Sequence, residues 1–181
     1  MENIETHRLV LRRPVLEDAR PLADINADPE VMKYIGNGKV RTAEETAAGL
    51  ENAIAAWNVH SYGQFSMILR DTGEYLGWVT LAEPAFLPEV LPAVEIGWRL
   101  GRSYWGHGYA TEGAEEVLRF GFESCGLDEI VSIRHMENDA SRRVMEKLGL
   151  HFDFETTVPA YRQPVAVHSI SRAQYGRLRR A

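Results

Sequence analysis

From residue 6 to residue 12 the chain alternates, with His7, Leu9 and Leu11 set against Arg8, Val10 and Arg12. That two-residue period predicts a strand, which Pro14 ends. Leu16, Ala19, Leu22, Ala23 and Asn26 then recur at helical spacing and predict a helix over 16–26. Asp28-Pro29 opens a short second helix, because proline suits a first helical turn, and glycines 36 and 38 interrupt the chain again. Thr42 with Glu45 three residues on is a capping-box pair heading a helix to about Trp57. Segments 64–70 and 75–82 read as strands joined by the hairpin turn Asp71-Thr72-Gly73-Glu74. Pro84, Pro88 and Pro92 mark a loop before a further strand over 93–100.

The order then changes. A glycine-rich turn over 101–108 leads into a helix to about Glu123, a strand over 130–135 and a helix over 139–148 that Gly149 stops. Strands over 151–158 and 165–171 flank a loop bounded by Pro159 and Pro164. The sum is a mixed α/β (α+β) chain: an antiparallel meander, one βαβ crossover and a closing hairpin. No repeat or flexible linker divides the 181 residues, so one domain over 1–181 is expected.

Composition changes this picture little. A hydrophobic share of 45% and a charged share of 25% suit a globular protein. The formal charge of -6 argues against a general nucleic-acid binder and fits, weakly, an acceptor that is a cationic amine. With Cys125 the one cysteine, an internal disulfide and a thiolate metal cluster are both out of reach. Neither a signal-like nor a membrane-spanning apolar run is visible, and a cytoplasmic protein is the expectation. None of the six histidines has zinc-protease spacing, so no metal is expected.

Candidate chemistry concentrates in AVEIGWRLGRSYWGHGYATEGAEEVLRFGF. Alternation puts Val94, Ile96, Trp98 and Leu100 on one strand face and Glu95, Gly97 and Arg99 on the other. Trp105-Gly106-His107-Gly108-Tyr109-Ala110 follows, and then a helix with Ala110, Ala114, Val117, Leu118 and Phe122 in register. Strand, glycine turn and helix in that order present free amides beside a positive helix end, which suits an anion. A dinucleotide-binding turn fits poorly, since the glycine strand follows an antiparallel meander and the spacing is not G-x-G-x-x-G. A second stretch, HMENDASRRVMEKLGL, offers Asn138 as helix cap and Ser141 in the first turn.

Together these blocks resemble the GNAT superfamily of acetyl-CoA-dependent N-acetyltransferases, most closely the branch that includes the ribosomal-protein N-terminal acetyltransferases. RLVLRRPVLEDA, DPEVMKYIG, the EIGW strand, YWGHGYATEG and NDASRRVMEKLGL carry the resemblance over nearly the whole chain. It implies a mostly antiparallel, twisted sheet of about six to seven strands flanked by helices. It implies that Gly97, Trp98, Arg99 and Leu100 lie along the pantetheine arm of acetyl-CoA. The amides of Trp105, Gly106, His107, Gly108, Tyr109, Ala110 and Thr111 would cradle the pyrophosphate. Asn138 would bond the pantetheine and Ser141 would sit near the thioester sulfur, with Arg102 the first candidate for a nucleotide phosphate, ahead of Arg142, Arg143 and Lys147. Two positions depart from the family. Trp105 stands where the phosphate turn usually begins with Gln or Arg, and Met145 stands where many members carry a tyrosine acid.

The resemblance also makes Glu95 the expected base, its alternative being a solvated carboxylate or a partner of Arg99. His135 is a second base candidate; Ser141 is the remaining acid candidate, or the thiolate leaves without a protein acid. Tyr34, Trp57, Phe86 and Tyr161 are acceptor-pocket candidates. The apolar loop 83–92 reads as a lid or a contact between two copies, and the basic tail after Ser171 as a frayed end. The chain is therefore expected to acetylate a primary amine, whether protein N-terminus, amino acid or small amine, as monomer or homodimer. A noncatalytic acyl-CoA-binding sensor is the alternative.

Overall fold

The computed structural model describes residues 3–180. Its elements are β1 (Ile4–Glu5), β2 (Leu9–Arg12), α1 (Ala19–Asn26), α2 (Pro29–Met32), α3 (Ala43–Ala56), β3 (Gln64–Leu69) and β4 (Tyr75–Ala82). There follow β5 (Val94–Leu100), α4 (Tyr109–Glu123), β6 (Glu129–His135), α5 (Asp139–Lys147), β7 (His151–Val158), β8 (Gln163–Ser171) and α6 (Arg172–Leu178). The strands form one sheet in the order β1-β2-β3-β4-β5-β6-β8-β7. Every neighbouring pair is antiparallel except β5 and β6, which α4 connects as a parallel pair. This is the mixed, mostly antiparallel sheet expected, with eight strands in place of six or seven.

The extra strand arises at Thr6. Its amide donates to the Leu9 carbonyl at 2.9 Å and its hydroxyl accepts from the Leu9 amide at 2.8 Å. That side-chain turn folds the expected single strand over 6–12 into the hairpin β1–β2. The predicted helix over 16–26 is also shorter. Residues 16–18 form a 3-10 turn that leaves Leu16 62% exposed, and α1 begins at Ala19. Asp18 is the buried residue of that turn, held by Arg12 at 2.6 and 2.8 Å. Burial penalises its charge, but hydrogen bonds from Arg12 and Ser66 outweigh that cost and keep its carboxyl below the ordinary value.

Caps fix the helix starts. Thr42 and Glu45 make both capping-box bonds at α3, and Asn138 caps α5 by accepting from the Ser141 amide. Ser171 and Gln174 make a further capping box at α6, a helix that buries Tyr175 against Phe122. Residues 172–178 of the basic tail are therefore helical, contrary to the frayed solvated terminus expected.

Two apolar layers hold the sheet. One face packs Leu11, Phe65, Met67, Val79 and Ile96 against Ala114, Val117 and Leu118 of α4. The opposite face, toward β6 and β8, packs Val131, Val158, Val165 and Val167 under Leu87 and Val90. The apolar content of loop 83–92 is thus explained in part by a small core of its own. Leu87 is 1% exposed there, while Phe86 and Leu91 remain 41% exposed. No helix among the described residues is long and apolar enough to cross a membrane.

Candidate active site

β5 and β6 pair through only two positions, Val94 with Ile130 and Glu95 with Val131. Yet β5 continues to Leu100 and β6 to His135. The Ser132 hydroxyl closes the fork by donating to the Ile96 carbonyl at 2.8 Å. Beyond it the strands part, and a cleft of about 910 Å³ opens between them. A Cβ at Gly97 would meet nothing nearer than Thr80 at 3.7 Å, so the protein itself leaves room there.

At one end of the cleft stands the start of α4. Gly106 and Gly108 adopt φ of 78° and 84°, which glycine takes without steric cost. Gly108 is the N-cap residue and supplies no capping oxygen, so the first-turn amides of α4 have no side-chain acceptor and face an electropositive helix end. The turn is tied down from β2's side. Arg8 donates to the His107 carbonyl at 2.9 Å and to Glu112 at 2.7 Å, while Glu112 also accepts from Thr6 and the Arg8 amide. Burial works against the Glu112 charge, but bonds from Thr6 and Arg8 win and lower its pKa. Trp105 anchors the other limb by donating its indole N–H to the Leu100 carbonyl at 2.9 Å. The indole therefore ties the turn to the end of β5.

Of the residues expected to face acetyl-CoA, 97–100, Trp105, Gly106, 108–111, Asn138 and Ser141 all line the cleft. Arg102 and His107 do not; His107 instead stacks on Tyr109 with ring centroids 5.7 Å apart. The Arg99 side chain takes a different direction from the pantetheine groove. It runs over the Trp78 ring to Asn26 of α1, on the face opposite α4. Arg143 and Lys147 reach the cleft, whereas Arg142 pairs with Asp139 and Glu146 on the surface.

Glu95 lies on the cleft wall near the fork. Burial pushes its carboxyl up to about 8 from 4.5, although the Ile133 amide pulls the other way. No ion pair joins it to Arg99, its alternative partner; among the described residues neither enters a salt bridge. His135 also lines the cleft, stacked on Tyr34 at 5.1 Å, with its Nδ1 accepting from the Glu137 amide. Ser141 faces the cleft, but Met145 is fully buried in the main core. Cys125 has its thiol directed to the Ser61 carbonyl at 3.6 Å, and burial raises its pKa, as suits a packed thiol.

Three of four acceptor-pocket candidates, Tyr34, Phe86 and Tyr161, line this cleft. Trp57 does not. It is 6% exposed, packs edge-on against Phe65 and donates its indole N–H to the Gln64 carbonyl. An aromatic closing an amphipathic helix carries no local sign of whether it caps a core or rims a pocket. Trp78, Thr80, Tyr104, Ser132 and Arg134 are cleft residues that sequence reasoning passed over. For Trp78 and Thr80 a signal existed. They sit opposite Arg99 and Gly97 across the β4–β5 ladder, so their face follows once that register is known.

Comparison with known proteins agrees with this geometry. Residues 8–151 match the acetyltransferase (GNAT) domain, and the chain belongs to that family. An uncharacterized N-acetyltransferase, p20, of Bacillus licheniformis is 32% identical over 161 residues, covering 86% of this chain and 88% of the relative. The FsC-acetyl coenzyme A-N(2)-transacetylase of Aspergillus fumigatus is 32% identical, covering 86% of this chain and 70% of the relative. In fold, the chain superposes with TM-score 0.77 on RimL, the ribosomal L7/L12 alpha-N-protein acetyltransferase, solved with coenzyme A. That pair shares 16% identity and covers 94% of this chain and 98% of the other. The chain is an acetyltransferase of the GNAT fold.

Proposed function

We propose that residues 1–181 act as one catalytic domain that transfers an acetyl group from acetyl-CoA to a primary amine, with Glu95 as general base. The observation that carries this reading is the juxtaposition, in one cleft, of the β5–β6 fork, the uncapped start of α4 and Glu95, whose carboxyl burial pushes up. The residues present fit acetyl-CoA. The open edge of 97–100 suits an extended pantetheine arm, and the amides after Gly108 suit a pyrophosphate. When bound, acetyl-CoA supplies an acetyl thioester whose C–S bond is exchanged for a C–N bond to the amine.

An alkylamine is protonated at neutral pH and does not attack until it loses a proton. Glu95 receives the proton released as the C–N bond forms, directly or through one water. A backbone N–H at Gly97 or Trp98 donates to the oxygen that gains charge. The Ser141 hydroxyl protonates the departing sulfur, or the thiolate leaves without a protein acid, since Met145 has no proton to give. Tyr34, Phe86 and Tyr161 form the acceptor wall. Thiol release from acetyl-CoA, with N-terminal peptides in one arm and small amines in the other, tests the reading. Release above the water background in either arm is expected; silence in both, with acetyl-CoA still raising Tm, would favour a sensor.

The turn gives a second check. A side chain in the left-handed conformation of Gly108 costs about 1–2 kcal/mol, and the turn relieves it by moving its amides. Gly108→Ala is expected to weaken acetyl-CoA binding roughly tenfold by calorimetry. Gly126 has φ of 72° outside the cleft with no atom near its Cβ position, so Gly126→Ala should leave the affinity unchanged.

A further inference from the structure

Arg99 is 7% exposed, and the protein supplies it with little. Its Nη1 donates to the Asn26 Oδ1 at 2.6 Å, and its plane lies over Trp78, 5.0 Å from the ring centroid. Among the described residues its Nε has no partner and no carboxylate comes within ion-pair distance. Asn26 is itself turned oxygen-first toward Arg99, because its Nδ2 donates to the Thr46 hydroxyl at 3.1 Å.

Other tucked arginines are treated differently. Arg12 has both oxygens of Asp18, and Arg134 bonds the His135 and Met136 carbonyls. A buried guanidinium with one neutral acceptor is a costly arrangement unless an anion arrives to complete it. A neighbouring positive charge makes matters worse. It is that of Arg41, whose repulsion adds to burial in lowering the Arg99 pKa to about 9.

Arg99 and Arg41 both line the cleft. Along β5, Glu95, Gly97 and Arg99 share a face, so Arg99 sits roughly 7 Å beyond Gly97 and Glu95 a similar distance before it. Lys33, Arg41 and Arg99 line the cleft, as do Glu30 and Glu95, and burial favours the neutral form of Glu95 at pH 7. These groups leave a local positive excess in a chain of net charge -6.

Resting on the reading that this cleft acetylates an amine, we infer that Arg99 and Arg41 form an anion subsite and that the acceptor amine carries a carboxylate. Arginine is suited to this, since its planar fork binds a carboxylate through two parallel hydrogen bonds. A phosphate of coenzyme A presents the same chemistry. It is disfavoured because Arg99 points to α1, on the face opposite the helix whose amides await the pyrophosphate.

The test compares the standard amino acids that carry a primary α-amine with their carboxamides as acceptors, at equal concentrations of unprotonated amine, in wild type, Arg99→Gln, Arg99→Lys and Arg41→Gln. Wild type should prefer amines bearing a carboxylate by tenfold or more in kcat/KM. Arg99→Gln should lose about a hundredfold on these and little on the carboxamides, with an unchanged Kd for acetyl-CoA. Arg99→Lys should recover part of the loss. Arg41→Gln alters an exposed residue that threatens no core, and should show a smaller loss of the same selectivity. Equal rates on acids and amides in wild type overturn the inference. So does an equal loss on both in Arg99→Gln, which marks a structural role, or a loss confined to acetyl-CoA affinity, which marks a cofactor phosphate. No acetylation of either set while peptide N-termini are acetylated also overturns it and leaves the transferase reading standing. No thiol release with any amine fails that reading first and removes the subsite with it.

Discussion

Glu95→Gln should lower kcat by about a hundredfold to ten-thousandfold while leaving the Kd of acetyl-CoA within error of wild type. The amide matches the carboxylate in shape and cannot accept a proton from the attacking amine. Because Glu95 stands on the wall of the fork and away from the α4 turn, its charge is not required for holding pyrophosphate. Turnover equal to wild type at saturating amine would remove Glu95 from the mechanism and return the role of base to His135.

The same substitution has a pH signature. With its carboxyl raised to about 8, Glu95 is mostly protonated at neutral pH, and the basic form grows as pH rises. The kcat/KM of wild type should climb below pH 8 and level above it. Amines of different pKa separate this limb from their own ionisation, since a limb that stays near 8 for all of them belongs to the enzyme. The linkage to stability runs in the opposite direction. The folded pKa lies above the unfolded value of 4.5, so Glu95 contributes fully below pH 4.5, and that contribution is lost as pH rises through about 8. Wild-type Tm should therefore fall relative to Glu95→Gln between pH 5 and 9. Parallel Tm profiles would show that burial does not raise this carboxyl.

How much of this was legible beforehand depends on whether the signal was local. Thr42 with Glu45, Asn138 ahead of α5, and the glycines before α4 specify structure within a few residues of themselves, and each lies where its type predicted. The alternation of β5 likewise set Glu95, Gly97 and Arg99 on one face. What that face meets was not local. Trp78 and Thr80 join it through ladder partners 21 and 17 residues away, and Asn26 reaches Arg99 across 73 residues. A lone arginine in a strand gives no sign that its counter-charge is missing. Trp57 failed for the same reason, since its burial depends on Phe65 and Phe120. The strand over 6–12 and the tail failed differently. Their signals, the Thr6 hydroxyl and the Ser171–Gln174 box, were local but outweighed by the more conspicuous alternation and charge.

Gly77→Ala should be the most destabilising of these substitutions, at about 3 kcal/mol or more, and should lower Tm by roughly 10 °C. Gly77 lies in β4 at the irregularity where Met67 pairs with it but Ile68 pairs with Tyr75, and its φ is 140°. A Cβ there would overlap the Arg99 carbonyl oxygen and stand 2.8 Å from the Leu100 Cα. Both obstacles are backbone, so no rotamer change relieves them, and β5 must move away from β4. That is the strand carrying Glu95, Gly97 and Arg99. Acetyl transfer by the fraction that remains folded should therefore fall as well, with kcat/KM reduced more for carboxylate amines than for carboxamides if Arg99 is displaced. Gly73 offers the comparison: its φ is 75°, with open space around its Cβ position. Gly73→Ala should cost only the left-handed conformation, about 1–2 kcal/mol, and leave turnover intact. Equal Tm shifts at the two positions would mean that β4 and β5 are not packed as closely at Gly77 as this contact requires.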